Sequence, residues 1–274
     1  MNGVNRAEVK RLIRHIGLRP ARAAGQHFLL DDTVAEAMVE AAGVKLTDTI
    51  LEIGPGLGAL TTKLLDRGAT VMAVELDRRL AGFLRQRFAD RPRLTIIHQD
   101  IFQVNIPRLF DQRPYKVVAN LPYGATSLVL RNFLSLPPLP STMTVMVQKE
   151  VAHRMIARPG RMSQLGVMVQ YYSQPRVLFD VPRASFFPVP EVVSTVVQCA
   201  AIRPRDTTES GQLFRLTKAA FASKRKQLHN ALRSMVKDSD PDLPAELFRL
   251  GINPQLRPQD LSVEDWRRMA KMLF

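Results

Sequence analysis

A chain of 274 residues, 46% hydrophobic and 23% charged, has room for one large domain and a smaller one, and its balance is that of a folded protein. No apolar run approaches the roughly 18 residues of a membrane span, and the single cysteine, Cys199, excludes both an intramolecular disulfide and a cysteine metal cluster. The 39 Lys and Arg outnumber the 25 Asp and Glu, and the resulting +14 makes a polyanion such as nucleic acid the favoured partner class.

The first segment is basic, with Arg6, Lys10, Arg11, Arg14, Arg19 and Arg22. Its apolar residues Val9, Leu12, Ile13 and Ile16 recur at helical spacing, which predicts a surface helix. The segment lacks the apolar core and cleavage site of a secretory signal, so a cytoplasmic protein is expected; import into an organelle stays open. Asp31-Asp32-Thr33 is placed to cap a helix with Val34, Ala37, Met38 and Ala41 on one face, and Gly43 to stop it.

Strands are predicted at 49–53, 70–75, 94–98, 115–119 and 142–148, with helices at 59–66 and 78–88. Strands alternating with helical segments imply an α/β fold: a Rossmann-like, mostly parallel sheet with right-handed crossovers and helices on both faces. The β-like runs 175–181 and 192–202 are expected to complete it with an antiparallel pair. Cys199 falls in the second run and reads as a small buried apolar residue.

Arg203-Pro204-Arg205-Asp206-Thr207-Thr208 is polar, and only helical patterns follow it. Phe214, Phe221, Leu228 and Met235 recur every seven residues as one potential helical seam. Ser262 with Asp265 forms a capping-box pattern ahead of Trp266, Met269 and Leu273. The expected organisation is a larger domain over 1–204 and a small helical one over 205–274.

The run Glu52-Ile53-Gly54-Pro55-Gly56-Leu57-Gly58 joins the first strand to a helix. Glycines permit the sharp turn and a close approach of ligand to backbone, but dinucleotide-binding proteins use a similar turn. The neighbours narrow the reading. Glu75 ends the second strand, where a carboxylate can accept from ribose hydroxyls, Asp100 ends the third and Asn120 the fourth. Ligands of open α/β sheets bind beyond the carboxyl ends of the strands, so these groups converge on one crevice fit for a nucleotide-like cofactor.

Asn120-Leu121-Pro122-Tyr123 points to the chemistry. The exocyclic amine of adenine is a poor nucleophile, because its lone pair is delocalised into the ring. An Asn oxygen and a backbone carbonyl, read here as that of Pro122, can accept its two hydrogens and favour a pyramidal nitrogen. Tyr123 offers a face for the base. Attack on a sulfonium methyl then needs alignment more than a strong base. A pyrimidine ring carbon, which calls for a cysteine nucleophile, is disfavoured by the lone Cys199.

The sequence resembles the ribosomal RNA adenine N6,N6-dimethyltransferases of the small subunit, over nearly the entire chain. The matching stretches are Gly25-Gln26-His27-Phe28-Leu29, the glycine loop, Val74-Glu75-Leu76-Asp77, Gln99-Asp100, Asn120-Leu121-Pro122-Tyr123 and Gln148-Lys149-Glu150-Val151. Further on come Gln170-Tyr171-Tyr172, the run from Phe186 to Ser194, and 221–232. The resemblance implies S-adenosylmethionine as cofactor, S-adenosylhomocysteine as product and no metal. It implies cofactor contacts at His27, Leu29, Gly54, Gly56, Glu75, Asp100 and Asn120, with catalysis at Asn120, Pro122, Tyr123 and Phe186. Phe186 would face Tyr123 across the target base, which must leave its helix to enter. His27 stands where many relatives carry Asn, Gly124-Ala125-Thr126 where they often carry Asn-Ile-Ser, and Val193 where Asp is frequent.

Lys224, Arg225 and Lys226, near Gln227, His229 and Asn230, are expected to meet RNA phosphates, and Arg154, Arg158 and Arg161 form a second basic group. His15 and His98 carry no assigned chemistry. The expected partner is small-subunit RNA or a pre-30S-type particle, met by a monomer without a membrane. Two other readings stay open: a large-subunit adenine dimethyltransferase of the macrolide-resistance type, and a non-catalytic ribosome-assembly or mitochondrial transcription factor on the same fold. A nicotinamide oxidoreductase is disfavoured, since nothing supplies a hydride-transfer site.

Overall fold

The computed structural model describes residues 6–18, 27–111, 113–235 and 243–274; Arg19, Arg22 and the Gly25-Gln26 pair lie outside the described residues. The chain divides into two compact units, Met1–Ala152 with Arg176–Ile202, and His153–Pro175 with Arg203–Phe274.

In chain order the elements are α1 (Arg6–His15), β1 (Phe28–Leu29), α2 (Asp32–Ala41), β2 (Thr49–Ile53), α3 (Ala59–Asp66), β3 (Thr70–Glu75) and α4 (Arg78–Arg87). Then come β4 (Leu94–His98), α5 (Ile106–Phe110), β5 (Lys116–Asn120), α6 (Thr126–Ser135), β6 (Thr142–Gln148) and α7 (Lys149–Met155). After α8 (Gln164–Tyr172) follow β7 (Gln174–Val181), β8 (Phe186–Phe187) and β9 (Ser194–Ala200). The sheet order is β4-β3-β2-β5-β6-β9-β7. β2 pairs in parallel with β3 and β5, β3 with β4, and β5 with β6, while β9 runs antiparallel to β6. This is the Rossmann-like, mostly parallel sheet the alternation predicts.

The strands are apolar because they are buried. Val117, Val118 and Ala119 of β5 are fully enclosed, as in a strand covered on both faces. Val34, Ala35, Met38 and Val39 of α2 join Leu60, Leu64 and Leu65 of α3 and Leu84 of α4 over Ile50, Val71, Ala73 and Val118. Each large side chain so buried contributes about 1.5–3 kcal/mol. Asp31 caps α2 as expected, its carboxylate accepting from the backbone N–H groups of Thr33 (3.0 Å) and Val34 (3.4 Å).

From β2 the chain moves to β3 and β4 on one side of the sheet, and β5 lies on the other. That reversal opens a crevice at the carboxyl ends of β2 and β5. A two-residue ladder adds to it: Phe28 opposes Phe187 and Leu29 opposes Phe186, while Leu30 N–H donates to the Ser185 carbonyl at 2.9 Å. The N-terminal segment is thereby stitched to β8.

The second unit is helical, with α8, α9 (Thr207–Ala222), α10 (Leu228–Leu232), α11 (Leu243–Arg249) and α12 (Val263–Leu273). Trp266 of α12 is fully buried, its ring 5.6 Å from that of Phe221. The boundary drawn at residue 204 differs from this division in one respect, because 153–175 belongs with the C-terminal helices. The physical reason is aromatic: Tyr171 and Tyr172 of α8 pack on Phe214 of α9, and the Arg205 guanidinium lies 4.8 Å from the Tyr171 ring while donating to its carbonyl. The seven-residue seam is not one helix either. α9 stops at Ala222, Leu228 opens α10, and Met235 ends a short 3-10 turn. Ser262 and Asp265 form the expected capping box on α12. Among the described residues no helix is long and apolar enough to cross a membrane.

Candidate active site

Three glycines make the turn out of β2. Gly54, Gly56 and Gly58 have φ of 69°, 59° and 83°, a region closed to most side chains. At two of them a Cβ would also be crowded: at Gly56 it would lie a tight 3.1 Å from the Phe28 ring, and at Gly58 2.7 Å from the Phe88 ring, which would have to shift. The loop then lies flat along a cleft lined by His27, Phe28, Leu29, Glu52, Gly54, Gly56, Leu57, Glu75, Leu80 and Asn120-Leu121-Pro122-Tyr123, among others.

Two carboxylates form one wall. Glu75, at the end of β3, accepts from Gly56 N–H at 3.1 Å and from Asp77 N–H at 3.0 Å. Burial raises its pKa, and those two donors oppose the rise. Glu52 is 1% exposed and accepts from the Thr61 hydroxyl at 2.7 Å. Burial pushes its pKa up to about 8, with the charge of Glu75 adding to the effect. Neither Thr61 nor Leu80 is marked out by local sequence; each is simply the residue its helix turns toward the loop.

The other wall rises from β5, β1 and the loop after β8. Asn120 ends β5, and its amide NH₂ donates to the His27 carbonyl at 3.2 Å. That bond fixes which end of the amide is which, leaving the side-chain oxygen as a free acceptor. The His27 ring bonds through Nδ1 to the Pro188 carbonyl at 2.8 Å. A carbonyl only accepts, so Nδ1 carries the proton. The Tyr123 ring stands 5.2 Å from that of His27, and its hydroxyl shares a hydrogen bond with Ser194 Oγ at 3.0 Å. Burial raises the Tyr123 pKa, with the Ser194 bond opposing it, so the phenol stays neutral.

His27, Leu29, Gly54, Gly56, Glu75, Asn120, Pro122 and Tyr123 are thus brought together. Three expectations are corrected in detail. Phe186 is 1% exposed and packs with Leu29, Met146 and Val196 in the core rather than lining the cleft beside Tyr123. Neighbouring strand residues point to opposite faces, so Phe187 turns the other way, half-buried beside the cluster that holds Phe28 and Leu57. The Pro122 carbonyl is also engaged, accepting from Ala125 N–H at 3.0 Å and the Thr126 hydroxyl at 3.1 Å. The Leu121 carbonyl has no donor among the described residues, which leaves it as the acceptor beside Asn120. Asp100 is not part of the cleft lining; it lies two residues beyond β4 and caps a short turn through Phe102 N–H at 3.0 Å.

Ser194 and the Pro188 carbonyl are functional partners that residue types alone do not reveal. Lys224, Arg225 and Lys226 lie exposed on the turn between α9 and α10 rather than on a helix. Cys199 is buried, as expected. Among the described residues no three His, Cys, Asp or Glu side chains gather as a metal site would need.

The family model described as ribosomal RNA adenine dimethylase matches residues 19–274. A protein of Dehalococcoides mccartyi named ribosomal RNA small subunit methyltransferase A is 40% identical over 269 residues, covering 96% of this chain and 92% of the relative. The crystal structure of a dimethyladenosine transferase from Plasmodium falciparum is similar with a TM-score of 0.73 at 26% identity, covering 87% of this chain and 94% of that one. The 23S rRNA methyltransferase ErmE is similar with a TM-score of 0.70 at 26% identity, covering 90% and 99%.

Proposed function

Because this chain belongs to the ribosomal RNA adenine dimethylase family, we propose that it methylates the exocyclic N6 of adenines in small-subunit ribosomal RNA. The methyl donor is S-adenosylmethionine, and the product is N6,N6-dimethyladenine. One observation carries the chemistry: the Asn120 amide is pinned through its NH₂ to the His27 carbonyl, so its oxygen is presented as an acceptor next to the Leu121 carbonyl, which has no donor among the described residues.

The cleft fits a nucleoside cofactor. The glycine loop carries no Cβ at its three left-handed positions, and Glu75 holds buried oxygens at the end of β3 for ribose hydroxyls. Glu52, Leu29 and His27 line the same cleft and would hold the methionine portion. When bound, S-adenosylmethionine supplies an electrophilic methyl on a positive sulfur.

The chain's own residues prepare the nucleophile. The Asn120 oxygen and the Leu121 carbonyl take the two N6 hydrogens, which draws the nitrogen lone pair out of conjugation and fixes its direction. Tyr123, tethered to Ser194, stacks on the base, a contact worth about 1–3 kcal/mol. The amine gives up one proton to solvent water for each methyl gained. In the second round a single N6 hydrogen remains, so Asn120 alone suffices to orient it. Positioning and preorganised acceptors therefore carry the rate.

The exposed Lys224, Arg225 and Lys226 are assigned to RNA phosphates. We take the substrate to be a pre-30S-type particle, met by a monomer in the cytoplasm. The likeness to ErmE favours a second reading, methylation of large-subunit RNA, while the 40% identity to a small-subunit enzyme supports the first. The test is incubation of undermethylated 30S-type particles, and in parallel of undermethylated large-subunit particles, with labelled cofactor, followed by mapping of modified nucleotides. Label confined to large-subunit RNA overturns the substrate assignment, and none in either subunit overturns the activity.

A further inference from the structure

Helix α1 is amphipathic in an unusual way. Val9 and Ile13 are buried against Phe28, Leu57 and Leu80, three residues that also line the cleft. The exposed surface beside that face carries Arg6, Lys10 and Arg14, with Arg11 further round, against a single acid, Glu8. Arg6, Lys10 and Arg14 stand at successive i, i+4 positions, about 6 Å apart along the axis. Like charges at that spacing repel one another and weaken a helix.

Some cations elsewhere on the chain are paired, among them Arg67 with Glu36, Arg91 with Asp66, Lys116 with Asp48 and Lys149 with Asp180. Among the described residues no carboxylate pairs with Arg6, Lys10, Arg11 or Arg14. The helix is nevertheless tied down. Arg6 donates to the Ala184 carbonyl at 2.8 Å, Lys10 Nζ lies 5.9 Å from the Phe187 ring, and Arg79 donates to the Gly17 carbonyl just beyond the helix. It therefore bridges the strand β8 and the glycine-loop side of the cleft, with its charge turned to solvent.

We infer that α1 is a second RNA-contacting surface, whose Lys10, Arg11 and Arg14 neutralise phosphates of the strand that delivers the target adenine. The inference rests on the proposed RNA substrate and extends it to the cofactor-bearing unit. A repulsive stripe without acids, docked on the wall of the cleft, fits a polyanion better than it fits solvent alone. The buried Val9 and Ile13 and the bonds from Arg6 to Ala184 and from Arg79 to Gly17 do not involve Arg11 or Arg14, and of the docking contacts only that of Lys10 with Phe187 is lost when Lys10, Arg11 and Arg14 are neutralised.

The test is the triple variant Lys10→Gln, Arg11→Gln, Arg14→Gln, with Lys224→Gln, Arg225→Gln, Lys226→Gln as a second, independent triple variant. Binding to undermethylated 30S-type particles is measured across salt concentrations, and cofactor affinity by calorimetry. The expected result is that the α1 variant flattens the slope of log K against log salt by about 2, at about 0.7 per released phosphate contact. Its affinity for S-adenosylmethionine stays that of the wild type. An unchanged slope overturns the inference, and so does a fall in cofactor affinity that matches the fall in RNA affinity, which would make α1 a structural prop. If the wild type itself methylates no small-subunit RNA, the substrate reading fails, a result distinct from wild-type activity with an unmoved slope.

Discussion

The two walls of the cleft are built by opposite means. On the glycine-loop wall every key partner is near in sequence: Glu52 and Thr61 are 9 residues apart, Gly56 and Glu75 are 19, Glu75 and Asp77 are 2. On the target wall the partners come from across the chain: Tyr123 and Ser194 are 71 apart, His27 and Asn120 are 93, His27 and Pro188 are 161. The first wall is a local product of a strand, a turn and a helix. The second exists only once the N-terminal segment has paired with β8 and β9 has docked on β6. A motif specifies a wall of the first kind, and only the fold assembles one of the second.

Replacing Phe186 breaks or sharpens that comparison with the largest expected effect. Phe186→Ala should cost about 3–5 kcal/mol of stability by denaturant unfolding, the range for a buried Phe that leaves a cavity. Phe187→Ala, at a half-buried position, should cost clearly less. Equal losses would mean that β8 does not separate a core face from a cleft face. Next comes Asn120→Ala, which removes an acceptor used in the transition state and should lower kcat by about 10²–10³. Calorimetry should find cofactor affinity within a few-fold of wild type, since Glu75 and the glycine loop are untouched. A large fall in cofactor affinity with kcat preserved would move Asn120 to the other wall.

These cases show what was legible in sequence. The parallel sheet, the glycine turn, Glu75 at the end of β3 and Asn120 at the end of β5 follow from hydrophobic patterning and short spacing. Phe186 was misread because two adjacent aromatics are indistinguishable until the register opposite Leu29 decides which one enters the core. Pro122 was misread for a similar reason. Its carbonyl closes the turn into α6, a bond visible only when Ala125 and Thr126 are in place. The seam from Phe214 to Met235 failed because seven-residue spacing survives the end of α9 at Ala222, after which a turn separates it from α10.

Glu52 tests the local wall through pH. Its pKa in the folded chain is about 8, against 4.5 when exposed. Folding therefore favours the neutral acid, so stability is full below about pH 4.5 and declines as pH rises toward 8. Glu52→Gln removes that dependence. Its melting temperature should match wild type at pH 5 and exceed it at pH 9. Cofactor binding should show the reverse, because a cation draws the carboxylate toward its charged form. Wild-type affinity for S-adenosylmethionine should climb between pH 6 and 8, by up to about tenfold per unit. In Glu52→Gln it should stay flat. A rise in both proteins would assign the titration to another group.

The smallest expected effect probes the distant wall at its tether. The Tyr123 hydroxyl is held neutral by burial and bonded to Ser194 Oγ, so the bond orients the ring without carrying charge. Such a neutral bond contributes about 0.5–1.5 kcal/mol, which limits the change in apparent RNA affinity to roughly tenfold. Tyr123→Phe keeps the stacking face and removes the hydroxyl; Ser194→Ala removes the partner. If the bond's only work is to steady the ring, each variant should raise the KM for RNA by a few-fold and leave kcat near wild type. The double variant should then be no worse than the poorer single one, because the same interaction is lost only once. Additive losses would mean that the two side chains act separately, and that β9 supports the base through Ser194 independently of the ring.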